Sequence, residues 1–180
     1  QIHEVEIPEL ELGRLAHTIS ITSEMVTSME DEYAQHRSRF GLDIRTNMAI
    51  SRTFTGRDYV RAQQARTRVC AIWAEVLKQV DVIATPTTGI TAPAIHPGAL
   101  SHGESNLTVL GAIMRFAFPA NLTGLPAISF PAGYDEGGMP IGIQFMGRPW
   151  GEHTLLRLAH AGEQHVVRAR PQVHFPLLDS

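Results

Sequence analysis

"ANLTGLPAISFPAGYDEGGMPIGIQFMGRPW", residues 120–150, is the stretch on which the fold class turns. Two short apolar runs, "AISFPAGY" (127–134) and "PIGIQFMG" (140–147), flank "DEGGM", a Gly-rich connection of the hairpin kind. A small polar loop follows at 148–154. The stretch reads as part of an enzyme, yet no obvious nucleophile, base or metal-ligating pattern accompanies it.

Working outward, "GEHTLLRLAHAGEQHV" after the hairpin predicts a terminal helix, with Leu155, Leu158, Ala159 and Gly162 in register. Before it, residues 106–119 predict a helix carrying Leu107, Leu110, Met114 and Phe118 along one side. The loop at 87–105 is rich in Gly and Pro and too long for a simple turn. "VDVIATP" is a buried strand stopped by Pro86. The strongest helix runs from Thr55 to Gln79, with Tyr59, Ala62, Ala65, Val69, Ile72, Trp73, Val76 and Leu77 at i, i+3, i+4 spacing. Thr55 or Gly56 can cap its start, and Lys78 suits the cation-favouring last turn. "RSRFGLDIRTNM" (37–48) reads as a polar loop. Residues 8–36 show a looser helical pattern through Leu15, Ile19, Ile21, Met25, Val26 and Met29. Ile2, Val5 and Ile7 mark a short strand at the very start, which reads as a piece cut from a longer chain. Strand–helix alternation with one hairpin predicts an α/β fold, a mixed β-sheet flanked by α-helices.

Composition narrows the function. The 180 residues suffice for one domain, and a net charge of −3 gives no basic field for nucleic acid or acidic lipid. Of 15 basic residues only Lys78 is a lysine. A single Cys, Cys70, excludes an internal disulfide, and no apolar run of membrane-spanning length is present. The 9 His are scattered without metal-site spacing, His160 and His165 being five apart, so no metal site is expected. Asn106-Leu-Thr108 and Asn121-Leu-Thr123 match the glycosylation sequon by chance more readily than by use. Asp135 and Glu136 sit in the Gly-rich turn, where carboxylates are usually solvated. No Ser stands in a G-x-S-x-G elbow; Ser129 alternates within a strand and is expected to pack or hydrogen-bond there.

"DVIATPTTGITAPAI" followed by "FAFPANLTGLPAISFPAGYDEGGMPIGIQFMGRPWGEHTLLRLAHAGEQ" resembles the C-terminal third of the amidase-signature hydrolases. "TPTTGITAP", "GESN" and "MRF" are most similar to the plant-type fatty acid amide hydrolases, and "ELGRLAHTISI", "DIRTNMAISRTF" and "DYVRAQQARTR" extend the likeness along nearly the whole chain. The resemblance implies the C-terminal part of the amidase-signature fold, residues 1–180 being one part of a longer catalytic domain. It implies a Ser–Ser–Lys mechanism in which a Lys deprotonates a bridging Ser that activates a nucleophilic Ser, with a Gly/Ser-rich loop as oxyanion hole. Those groups lie upstream of the matched region: no Gly-Gly-Ser-Ser stretch occurs here, and Lys78 matches no catalytic position. The expectation is therefore no catalytic residue, no cofactor and no metal in this chain, with the 120–150 segment as scaffold and pocket wall.

The expected substrate is a lipid amide, an N-acylethanolamine, and the expected partner is the remaining N-terminal part of the domain. Leu110, Ile113, Met114, Phe116 and Phe118 make the helix before Asn121 apolar, which favours an acyl chain over a polar substrate. Met114, Phe116, Phe118, Trp150 and Thr154 are the candidate wall of that pocket. A homodimer is among the assemblies the resemblance allows, as is an intracellular, peripheral position at the endoplasmic reticulum membrane. Two alternatives stay open: another amidase-signature enzyme acting on a small amide or on glutamine, and a non-catalytic short relative that binds a partner.

Overall fold

A computed structural model describes residues 1–94 and 106–167. Chain order is α1 (Leu10–Ser28), α2 (Glu30–His36), a 3₁₀ turn (Arg37–Arg39), α3 (Leu42–Ser51), α4 (Gly56–Val76) and β1 (Val82–Pro86). Then come α5 (Leu107–Ile113), a 3₁₀ turn (Met114–Phe116), α6 (Phe118–Thr123), β2 (Ala127–Tyr134), β3 (Pro140–Gly147) and α7 (Glu152–Glu163).

The hairpin forms as the sequence predicts. β2 and β3 pair antiparallel, β1 pairs antiparallel on the other side of β3, and the sheet order is β1–β3–β2. Among the described residues this sheet is antiparallel throughout, and helices flank it on both faces. Strand alternation sorts the side chains. One face carries Phe130 and Phe145, whose rings meet edge-on at 5.2 Å, and α7 covers it through Leu155 and Gly162. A Cβ on Gly162 would overlap the Phe130 ring, so the close approach needs glycine there. The opposite face carries Ile83 and Met146, which join Trp73, Val69 and Val76 of α4 and Leu122 of α6 in the main core.

α4 begins at a reciprocal cap: the Thr55 hydroxyl accepts from Asp58 N, and the Asp58 carboxylate accepts from Thr55 N at 2.9 Å. That selects Thr55 over Gly56 as the cap. Lys78 lies just past the helix end, exposed and paired with Glu75 at 2.6 Å.

Four local readings need correction. Residues 1–7 form no strand; Val5 and Ile7 are half-buried against the core while Ile2 is fully exposed. A strand requires a ladder partner, and none of the described strands pairs there. The polar segment 37–48 is no loop: α3 spans most of it, anchored by Met48, which is wholly buried. One deep apolar anchor against α1 outweighs weak local patterning. On α1 the buried face is Gly13, Ala16, His17 and Ser20, whereas Leu15 and Ile21 are exposed. Small residues let α4 and α6 approach α1 closely. Finally, 106–119 is broken at the 3₁₀ turn. Pro119 lacks an N–H and its ring would clash with the carbonyl four residues back. α6 then ends on Gly124, whose left-handed φ of 76° lets its N–H bond the Ala120 carbonyl at 2.8 Å. Part of the 87–105 loop, residues 95–105, lies outside the described residues.

Candidate functional site

A polar row crosses the sheet face that looks toward residues 114–118. Thr85, Gln144 and Ser129 are in register on the three strands. Gln144 is buried at the centre of the row; its amide donates to the Phe116 carbonyl at 2.9 Å and to the Thr85 hydroxyl at 3.2 Å. One step further, the hydroxyls of Thr87 and Ser129 meet at 2.5 Å over Gly142, where a Cβ would strike Thr87. The backbone beyond β1 is held in place too: Thr87 N bonds Gly142 O, and Gly89 N bonds Ala112 O. The Ala112 carbonyl sits so close to Gly89 that no side chain fits there. This row pins the 3₁₀ turn, and with it Met114 and Phe116, onto the sheet. Ser129 does hydrogen-bond within the strand layer, as its alternation suggests. A Gln inside the apolar run "PIGIQFMG" and the Thr85/Thr87 alternation were the available signals for this row, and sequence reading passed over them.

The five wall residues are placed differently from one another. Met114 and Phe116 are half-buried on the 3₁₀ turn. Phe118 is buried at the α1 interface, its ring 6.1 Å from that of His17 and against Gly13. Trp150 is 89% exposed and held at φ 62°, a left-handed conformation unusual for a bulky residue. Thr154, half-buried in the first turn of α7, hydrogen-bonds the neighbouring His153 ring at 3.2 Å. Phe118 is therefore core beneath any wall, and Trp150 is not core at all.

Among the described residues two cavities lie elsewhere, and neither is lined by any of the five. One, of about 570 Å³, is apolar and runs between the end of α4 and residues 123–125 and 148–149, with Cys70, Leu77, Leu125 and Pro149 on its walls. Arg148 closes its edge by donating to the carbonyls of Leu77 (2.8 Å) and Val80 (3.2 Å). The Cys70 thiol points to the Thr123 carbonyl at 4.0 Å. The second, of about 300 Å³, is lined by polar and apolar groups alike and sits where α1, α4 and α6 meet. Gln63 donates to Ser20 Oγ at 2.8 Å there, and the Tyr59 hydroxyl donates to Glu24 at 2.9 Å, a bond that raises the phenol above its usual pKa. Burial holds the His17 imidazole below its ordinary pKa. Among the described residues no three His, Cys, Asp or Glu side chains converge as a metal site, and no helix is long and apolar enough to cross a membrane.

Comparison with known proteins gives this geometry its context. The amidase family model matches residues 3–156. The chain is 48% identical to a fatty acid amide hydrolase of Oryza sativa subsp. indica over its whole length, and 46% identical to one of Medicago truncatula over 99% of it. It spans about 30% of the length of each. A crystal structure of an amidase superposes on 91% of the chain with a TM-score of 0.77 at 24% identity, the chain covering 37% of it. A glutamyl-tRNA(Gln) amidotransferase structure from Thermotoga maritima superposes on 90% at 0.61 and 28% identity, the chain covering 34% of it. By its fold, its family match and its likeness to the plant enzymes from end to end, this chain belongs to the amidase family.

Proposed function

We propose that the chain is the C-terminal part of an amide hydrolase that cleaves fatty acid amides, N-acylethanolamines among them, into a fatty acid and an amine. The observation that carries this reading is the 46–48% identity to plant fatty acid amide hydrolases along essentially the entire chain. In this reading the nucleophilic Ser, the bridging Ser and the Lys base come from the preceding part of the domain. The residues described here contribute scaffold and wall. The polar row Thr85–Gln144–Ser129 fixes the turn bearing Met114 and Phe116, which face the acyl chain together with Trp150 and Thr154. Phe118 backs that turn from the core.

Trp150 supports the assignment of a wall. A large apolar side chain left 89% exposed gains free energy when an apolar group covers it. Burying an acyl chain contributes about 0.8 kcal/mol per CH₂. In the full-length enzyme, Trp150→Ala is expected to lower kcat/KM for long-chain N-acylethanolamines by several-fold more than for short-chain ones. Equal losses at every chain length would remove Trp150 from the acyl wall.

A second reading is an amidohydrolase for a small amide or glutamine. It draws on a glutamyl-tRNA(Gln) amidotransferase chain of Synechococcus sp., 40% identical over 71% of this chain, which covers 26% of that protein. Ammonia release from glutamine by the full-length protein, without turnover of fatty amides, would select it.

A further inference from the structure

We propose that the cavity between α1, α4 and α6 binds an ω-amino acid, a zwitterion whose ammonium and carboxylate are separated by a short methylene chain. Such a ligand has no acyl–nitrogen bond to cleave, so the inference goes beyond the hydrolase reading.

The two ends of the cavity carry opposite charge. Glu24 meets Tyr59 and Ser20 meets Gln63, so α1 and α4 run antiparallel. One turn further, the same register sets His17 level with Arg66, and both line the cavity. Glu24 and Tyr59 thus mark one end, His17 and Arg66 the other. His17 and Glu24 are seven residues apart, as are Tyr59 and Arg66, a helical rise of about 10 Å. Each exposed charge is tied to its own end: Glu24 accepts from the Tyr59 hydroxyl at 2.9 Å, and Arg66 Nε donates to the Leu122 carbonyl at 2.6 Å. Neither has an ionic partner among the described residues.

An orphaned group fixes which end takes which charge. His17 is 8% exposed, and its Nε2 is buried without a hydrogen-bond partner. Buried polar atoms in folded proteins are nearly always paired, and an unpaired one destabilises the fold. Burial keeps the imidazole neutral near pH 7, so the ring can offer an N–H at Nε2. Beside the Arg66 guanidinium, that N–H completes a two-donor seat for a carboxylate. Glu24 and the Tyr59 hydroxyl seat an ammonium at the far end. A ligand with only one of the two charges leaves one end unmet. Spacing then selects the length. An α-amino acid carries its charges on adjacent carbons and cannot reach both ends, whereas an ω-amino acid can. Its methylenes would lie along Ile21 and Leu122, apolar members of the same lining. The volume of about 300 Å³ is that of roughly ten waters, ample for such a chain.

The test is an NMR titration of the full-length protein with ¹⁵N-labelled histidine, using ε-aminocaproate, glycine, caproate and n-hexylamine as probes. ε-Aminocaproate should shift His17 Nε2 saturably, with a dissociation constant at least about fivefold below those of the other three. Glu24→Gln keeps an acceptor for the Tyr59 hydroxyl but removes the anion. It should retain the fold by circular dichroism, weaken ε-aminocaproate by about fivefold and leave caproate unchanged. No saturable His17 shift, equal or tighter binding of glycine, caproate or n-hexylamine, or unchanged ε-aminocaproate affinity in folded Glu24→Gln would each overturn the proposal. Binding is read here without turnover, so its failure and the failure of the hydrolase reading are told apart.

Discussion

At the tip of the β2–β3 hairpin one carboxylate closes the turn. Asp135 Oδ1 accepts from Gly137 N and Met139 N, each at 2.9 Å, and Gly138 takes the left-handed φ of 79° that completes the reversal. The Thr91 hydroxyl first, then the Met139 and Gly137 amides, hold the Asp135 pKa below the usual carboxylate range. A depressed folded pKa stabilises the native state above the unfolded value near 3.8, and that contribution is lost as pH falls through the folded one. Asp135→Ala should therefore melt at a lower temperature than the parent at pH 7, with the gap narrowing as pH drops below about 3.8; a gap independent of pH would show that the charge is idle. His17 has the opposite chemistry and the same direction. Its folded pKa lies below 6.5, so the unfolded chain binds the proton more readily and stability falls as pH drops below about 6.5. The sequence marked the DEGGM turn correctly, but Asp135 read there only as a solvated carboxylate. The partner Thr91 lies 44 positions away, and no local pattern announces such a bond.

Elements differ in how much of their making is local. α4 was legible because period, cap and length agree: Ala62, Val69, Trp73 and Val76 are its buried stripe, and the Thr55–Asp58 box starts it. Thr55→Ala should cost about 1 kcal/mol of stability, read from denaturant midpoints; no change would deny the cap its role. α3 was illegible for the opposite reason, since Met48 is its one deeply buried apolar residue and its packing on α1 is non-local. The break in 106–119 was written in Pro119, yet apolar spacing masked it. α1 shows a further limit: its buried face is small and polar, which a hydrophobic-period search cannot see. α7 packs by glycine, Gly162 resting on Phe130. Gly162→Leu should destabilise by about 1–3 kcal/mol through overpacking, more than the same change at exposed Ala161, measured by urea unfolding.

Across the whole molecule, the fold class and the hairpin were readable, whereas the relative placement of the five candidate wall residues was not. Met114 and Phe116 share a turn pinned by Gln144, but Phe118 turned into the core and Trp150 out to solvent. Side-chain direction after a broken helix depends on packing that spacing does not encode. Val60, Leu107, Leu156 and Trp150 are all more than half exposed, which fits the proposal that the preceding part of an amidase domain covers this chain. The most direct measurement is hydrolysis of a long-chain N-acylethanolamine by the purified 180-residue chain, alone and mixed with the preceding part of the domain. Under the proposal that nucleophile, base and oxyanion loop come from the preceding part of the domain, the chain alone should show no turnover, and turnover should appear once the two parts are combined. Turnover by the chain alone, retained in Lys78→Ala and abolished by changing one of its own serines to alanine, would contradict this.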